Sequence, residues 1–425
     1  MDTQHVPNLR WNFWIGVLNG VAFRVVDTLM NPSLVLVVFL AHLTDNPLLL
    51  GMAAPLWNGG WMLPQLLVTG RLRQTERMMP LYRASALGRC VAWMVLLVGM
   101  LFLRDPNALV VCLFFFLVSY PLVSGVGGLA FMEIVGRVIP PRLRGLYFSW
   151  RLGAGGVVAL GASALVNRIL DPAFPLDFPH NFTLLFIIAL VFVIAGLVLF
   201  QAVREPAMPQ RQAAPAGLRG QWGAIRRIWQ DDAPYRRFIL ARVALQLAAG
   251  VVPLIVVYAQ GRFGLPLSAA AVFLIADTAF GLIAVAASGW LSLRLGNRRL
   301  SLIAVALGVL ALVMILVAGV IGVADGAVLP YFTGVFILLA VFNGATAISM
   351  TALNLNLSPE GERPLYLGLA NTIFGIAFYL SAAQGALVSL IGYDGLFLLA
   401  AGLMTLGLWY TMRVHDPTEA VRSGR

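Results

Sequence analysis

The chain has 425 residues, of which 60% are hydrophobic and only 11% charged, and its formal net charge is +11. A soluble domain is about 25% charged, so a water-soluble two-domain protein is excluded. All 29 cationic side chains are arginine; they cluster between apolar runs without base-stacking or groove-reading motifs, which excludes nucleic-acid binding and points to membrane topology.

Windows of ~20 apolar residues, each able to cross ~30 Å of hydrocarbon, recur along the whole chain. The first lacks the short core and small-residue cleavage site of a signal peptide, so it is expected to remain as a helix. Six spans are predicted at 12–41, 47–70, 80–103, 107–135, 145–168 and 180–203. Six more are predicted at 236–260, 267–293, 300–324, 328–357, 366–391 and 393–412. The expected layout is an N-terminal six-helix bundle over 1–203, a cytoplasmic linker over 204–235, a C-terminal bundle over 236–412 and a tail over 413–425.

The first span carries Arg24 and Asp27, then Asn31-Pro32. Counted from residue 12, the two charges lie ~18 and ~22 Å deep. A lone charge there costs at least ~2.5–3.5 kcal/mol. Spaced three apart, the pair shares a helix face and is expected to line a bundle interior or wet cavity. Pro32 removes a backbone hydrogen bond and bends the helix. Either a polar transport site beside a flexible helix or an ion pair that only fixes packing accounts for the pattern. Trp57 and Asn58 follow on the second span as weaker candidates.

Loop 70–77 supplies Gly70, Arg71, Arg73 and Arg77. Arg89 and Arg151, within the third and fifth spans, are read as lying nearer the cytoplasmic ends, where they snorkel or pair. Cys90 and Cys112 fall in different spans, so neither a disulfide framework nor a paired-cysteine metal site is expected. Tyr120 is a further weak candidate on the fourth span. Glu133 and Arg137, one helical turn apart, are expected to form an ion pair at that span's cytoplasmic end, with a gate role as the alternative. Arg144 opens the fifth span.

In the linker, 221–229 places Trp222, Ile225 and Trp229 on one face beside Arg226 and Arg227. Such a helix suits the headgroup plane or packs on the end of the bundle. Arg242 and Gln246 lie on the seventh span and Asp277 is an isolated acid on the eighth. Arg242 and Asp277 are expected to approach one another or a substrate. Asn343, Asn371 and Gln384 are uncharged candidates that either line a cavity or hydrogen-bond between helices.

Twenty-two arginines fall on the side of the termini and three (Arg104, Arg168, Arg262) on the other. The positive-inside rule then places both termini and the linker in the cytoplasm. The halves also repeat. Gly70 and Gly289 open corresponding loops, and RGLY at Arg144 matches RPLY at Arg363; both pairs are 219 residues apart.

On these residues the chain resembles the major facilitator superfamily, whose loop after the second helix of each half reads Gly-x-x-x-Asp-Arg-x-Gly-Arg-Arg. The second copy here reads Gly289-Trp-Leu-Ser-Leu293-Arg294-Leu-Gly296-Asn297-Arg298-Arg299, with Leu293 in place of the aspartate. The first keeps Gly70, with Gln74 at the acidic position. The resemblance implies an all-α integral membrane fold of twelve helices in two pseudo-symmetric bundles. It further implies transport by alternating access around a midplane site, with these loops bracing a cytoplasmic gate. Two motifs of proton-linked members are absent. Pro121-Leu-Val-Ser124-Gly125-Val-Gly127-Gly128-Leu lacks their arginine, and Gly153-Ala-Gly155-Gly156 lacks their proline.

The four histidines have no partner at ligand spacing, and without lysine the chain has no phosphate-binding Gly-Lys-Ser/Thr loop. An enzyme is therefore not expected, nor a metal or cofactor. The expectation is a monomeric secondary transporter of a small molecule in the cell membrane, slightly favouring export, with Asp27 or Asp277 as the groups to exchange a proton if protons drive it. A receptor or scaffold on the same fold is the alternative.

Overall fold

The computed structural model describes residues 8–32, 35–44, 46–66, 69, 76–171, 173–207, 218–265, 269–382, 384 and 387–414. Their regular secondary structure is helical, with no strand among the described residues. In the first half the helices are α1 (Leu9–Leu29), α2 (Val35–Ala41), α3 (Pro47–Gly59), α4 (Met79–Phe102), α5 (Pro106–Val138), α6 (Pro141–Ile169) and α7 (His180–Gln201). After α8 (Leu218–Asp231) come α9 (Ala233–Ala249), α10 (Val252–Phe263), α11 (Ala269–Leu295), α12 (Asn297–Ile321), α13 (Val328–Leu357), α14 (Arg363–Ala382) and α15 (Val388–Met412).

Helix α4 has the pattern of a lipid-facing helix. Leu87, Val91, Met94, Val98 and Leu101 are exposed, while Ser85, Arg89, Trp93, Leu96 and Met100 are buried. Polar residues on the protein side and aliphatic residues outside suit hydrocarbon as the surrounding solvent. Ten helices among the described residues are long and apolar enough to cross a membrane, α9 and α10 counting as one. The protein is a multi-pass membrane protein.

Several expected spans are discontinuous. The first is broken rather than bent: α1 ends at Leu29, and the carbonyl of Asn31 accepts from the N–H groups of Val35 and Leu36 at 2.8 and 3.1 Å as α2 begins. Pro32 has no N–H to continue the ladder. The seventh span divides in the same way at Gly250 and Val251, the repeat equivalents of Asn31 and Pro32. A side chain at Gly250 would strike the Gln384 side chain and the Ser381 carbonyl. The helix of the second span stops at Gly59, before a turn over 60–64. That turn packs on glycine, because a Cβ at Gly125 would strike the Trp61 carbonyl and Pro64. The helix of the eleventh span runs Arg363–Ala382, and Val388–Ile391 of the expected span belong to α15.

Two compact units divide the chain. Unit 1 comprises Met1–Pro140, Trp150–Gln221 and Glu360–Thr372; unit 2 comprises Pro141–Ser149, Trp222–Pro359 and Ile373–Arg425. The first residues of α6 thus belong to unit 2, and those of α14 to unit 1. In unit 1, α1 packs on α7, where Asn19 Nδ2 donates to the Gly196 carbonyl at 2.7 Å. In unit 2, α13 packs between α11 and α12. On α8 the side expected to be apolar is the open one: Trp222 and Trp229 are exposed while Ile228 is buried.

Candidate functional site

The break after α1 and the turn after α3 line one cavity of about 560 Å³, entirely within unit 1. From α1 it receives Asn19, Arg24 and Asp27, followed by Asn31 and Pro32. Arg24 Nη1 and Asp27 Oδ2 are 3.9 Å apart, and both side chains are about half exposed (50% and 51%). This is a loose pair.

Two more arginines enter from neighbouring helices. Arg89 lies on the buried face of α4; its Nε and Nη2 donate to Ser85 Oγ at 3.2 and 3.1 Å, and Ser85 donates to the Val123 carbonyl at 2.8 Å. The guanidinium lies 5.5 Å from the Tyr82 ring centroid and 5.9 Å from that of Phe23. Arg151, on α6, donates through Nη1 to the Gly16 carbonyl and to Asn19 Oδ1, both at 2.7 Å, tying α6 to α1. Its guanidinium lies 4.5 Å from the Phe131 centroid. The expectation that Arg89 and Arg151 snorkel or pair nearer the cytoplasmic ends is met in the pairing, Arg89 with Ser85 and Arg151 with Gly16 and Asn19, while their charged ends also line the same cavity as Arg24 and Asp27.

Glycines make this possible. A Cβ at Gly127 would overlap Arg89 Nη2, one at Gly20 would overlap the Arg151 stem, and one at Gly155 would press on Arg24. The cavity's apolar wall is aromatic: Trp57 and Tyr120 stack with centroids 5.5 Å apart and planes 16° apart. Asn58 and Trp61 also line it. The sequence signal for the missed arginines was each residue's small partner on a different helix, which spacing along one helix does not reveal.

A second charged cluster lies in unit 1. Glu133 Oε1 meets Arg137 Nε at 3.0 Å, the ion pair expected from the sequence, and Arg137 Nη1 also reaches Glu205 Oε1 at 2.7 Å. Glu205 accepts from the backbone N–H groups of Met78 and Met79 at 2.8 and 2.9 Å. Arg363, only 2% exposed, places Nη1 3.6 Å from Glu133 Oε2. Gly136 leaves room for that guanidinium. In unit 2, Arg144 donates to Asn356 Oδ1 at 2.8 Å. Gly289 lies against Ser149, and Gly145 against Ser292 and Asn297.

The remaining candidates are separate from the cavity. Arg242 is half-buried, 5.6 Å from the Phe374 centroid. Asp277 is half-buried, and no ion pair joins it to Arg242 among the described residues. Gln246 is half-buried and Asn343 exposed. Asn371 Nδ2 donates to Gln65 Oε1 at 2.7 Å, and Gln384 Nε2 to the Leu247 carbonyl at 2.6 Å. Gly296 caps α12 with φ +87°, a conformation that favours glycine. Arg294 lies 3.8 Å over the Trp290 ring, and Arg298 donates to the Met412 carbonyl at 2.7 Å. Arg77 and Arg299 are exposed. Gly70, Arg71, Arg73 and Gln74 lie outside the described residues.

No protein-family model and no curated protein matches the chain. Solved structures do. A bacterial homologue of the iron transporter ferroportin, in an outward-facing state, superposes with TM-score 0.75 at 17% identity, covering 96% of this chain and 98% of that one. The human organic anion transporter MFSD10 (TETRAN) gives 0.71 at 15% identity, covering 95% and 100%. The E. coli fucose:proton symporter FucP, a major facilitator superfamily transporter, gives 0.67 at 14% identity, covering 96% and 98%. The chain has the major facilitator fold.

Proposed function

We propose that the chain is a secondary active transporter that carries a small molecule across a membrane by alternating access. The observation that carries this reading is the unit 1 cavity, where a carboxylate and three guanidiniums meet within a lipid-facing bundle. Such groups are expensive in a membrane and mark substrate or ion paths. The helices interrupted at 30–32 and 250–251 support it, since discontinuous helices form the binding sites of many transporters. In this reading Arg24, Asp27 and Asn31 contact the substrate. Arg242, Gln246, Asp277, Asn343 and Asn371 serve the conformational cycle or its coupling, with protons as the candidate driving ion.

The arginine distribution supports a cell-membrane protein with both termini in the cytoplasm. It also supports a functional division into a bundle over 1–203, a linker over 204–235, a bundle over 236–412 and a tail. On that orientation Glu133, Arg137, Arg144 and Arg363, together with the Gly70 and Gly289 loops, belong to a cytoplasmic gate. We take the working unit to be a monomer.

Access to Asn31 tests the reading. In a Cys90→Ser/Cys112→Ser background, Asn31→Cys should react with a membrane-impermeant thiol reagent from either face of oriented vesicles. Labelling restricted to one face under every condition tried would remove alternating access.

A further inference from the structure

We infer that the unit 1 cavity binds an organic anion with a flat apolar body. The site is the one proposed above for transport, but the binding argument stands on its own geometry. Charge comes first. Among the lining residues, Arg24, Arg89 and Arg151 oppose a single carboxylate, Asp27, leaving an excess of two positive charges. Asp27 does not hold Arg24 tightly, since 3.9 Å is beyond a charge-assisted hydrogen bond. The Arg24 guanidinium has no other partner among the described residues.

The excess is not something the fold requires. The 219-residue offset holds at both Gly70–Gly289 and Arg144–Arg363, so no net insertion separates the halves between those anchors. It carries Arg89 onto Gly308 and, just past the second anchor, Arg151 onto Ala370. The second half of the sequence is thus built from equivalent helices without these guanidiniums. The exchange is reciprocal: Gly127, which makes room for Arg89, corresponds to Thr346, whose hydroxyl donates to the Phe342 carbonyl at 2.6 Å.

Geometry then selects the ligand. The Phe131 ring lies over Arg151, and Tyr82 and Phe23 lie near Arg89. A ring over a guanidinium face leaves the in-plane donors available: those of Arg151 can take an oxyanion in bidentate fashion, whereas Nε and Nη2 of Arg89 are held by Ser85. Nε and Nη2 of Arg151 have no acceptor among the described residues. The stacked Trp57–Tyr120 wall suits an apolar ring, and about 560 Å³ far exceeds an inorganic anion, lying within the size range of small-molecule sites. Asp27 acts as an internal competitor that the arriving anion replaces at Arg24.

Calorimetry on the full-length protein in detergent tests this with naphthalene-2-carboxylate, naphthalene-2-sulfonate, the neutral naphthalene-2-carboxamide and the cation 2-naphthylmethylammonium. Both anions should bind and the other two should not. Arg24→Gln, a substitution of a half-exposed side chain, should weaken the anions about tenfold. Asp27→Asn should tighten them on the order of threefold or more by removing a like charge. Thermal unfolding of each variant checks that it folds. Binding of the carboxamide or ammonium as tight as that of the anions, no anion binding at millimolar concentration, or weaker anion binding in Asp27→Asn would each overturn the inference. Its failure is separable from that of the transport reading. A chain that binds the carboxylate but labels from one face keeps the anion site and loses transport; alternating labelling with no anion preference does the reverse.

Discussion

Unit 1 and unit 2 are built from one repeat, yet their interiors hold charge differently. In unit 1, Arg89 and Arg151 reach the cavity, and Glu133, Arg137, Glu205 and Arg363 form a buried, charge-neutral cluster. At the positions 219 residues on, the second half has Gly308, Ala370, Ala352 and Asn356, and in unit 2 Arg144 meets an amide where Arg363 in unit 1 meets a carboxylate. One half thus serves as a control for the other. Charges shared by both, such as Arg144 and Arg363, belong to the scaffold, whereas those confined to unit 1 need a different reason to be there.

The largest effect should come from the buried cluster. Arg363→Ala leaves Glu133 and Glu205 with Arg137 alone, so a negative charge stays buried without compensation, at a cost of about 3–5 kcal/mol. The corresponding test in unit 2, Asn356→Leu, removes one neutral acceptor and should cost about 1–3 kcal/mol. Thermal or denaturant unfolding in detergent measures both. Equal losses would mean that the charge difference between the units carries no energetic weight at this end of the helices.

The Arg89–Gly127 and Gly308–Thr346 exchange can be tested directly. Gly127→Thr gives unit 1 the unit 2 residue while Arg89 still occupies the space. Overpacking should cost about 1–3 kcal/mol, and the carboxylate probe should be lost as the guanidinium is displaced. Adding Arg89→Gly should restore most of the stability without restoring binding. If the double variant stays as unstable as the single one, the two residues are not a packing pair. If it still binds the anion, Arg89 is not part of the site.

Much of this was legible in the sequence for physical reasons. Long apolar runs with arginine between them fix helices, membrane and repeat, because a bilayer tolerates few alternatives. Arg24 and Asp27 stood out because they are close along one helix, and so did Glu133 and Arg137. The depth of Arg89 and Arg151 along their own helices does not show what their side chains reach. Their burial depends on Gly127 and Gly20, which lie on other helices. The breaks after Leu29 and at 250–251 differ in legibility: Pro32 announces the first and Pro253 the second, whereas the close packing of Gly250 on Gln384 and Ser381 comes from another helix.

The smallest expected effect is at Arg242, the cation on the second-half counterpart of α1. Its guanidinium is covered by the Phe374 ring at 5.6 Å, a contact worth about 0.5–2 kcal/mol, and it is absent from the lining of the anion cavity. Arg242→Gln should therefore reduce stability by at most that amount and leave the carboxylate affinity within about twofold, where Arg24→Gln weakens it about tenfold. Both substitutions remove one positive charge from a first-in-half helix, so a response to net charge alone would make them alike. Calorimetry on the two variants at low and high salt separates the cases. A direct contact persists when exposed charges are screened beyond ~10 Å. If Arg242→Gln weakened binding as much as Arg24→Gln, and salt abolished both effects, the anion would be responding to the overall field of the protein rather than to a built site in unit 1.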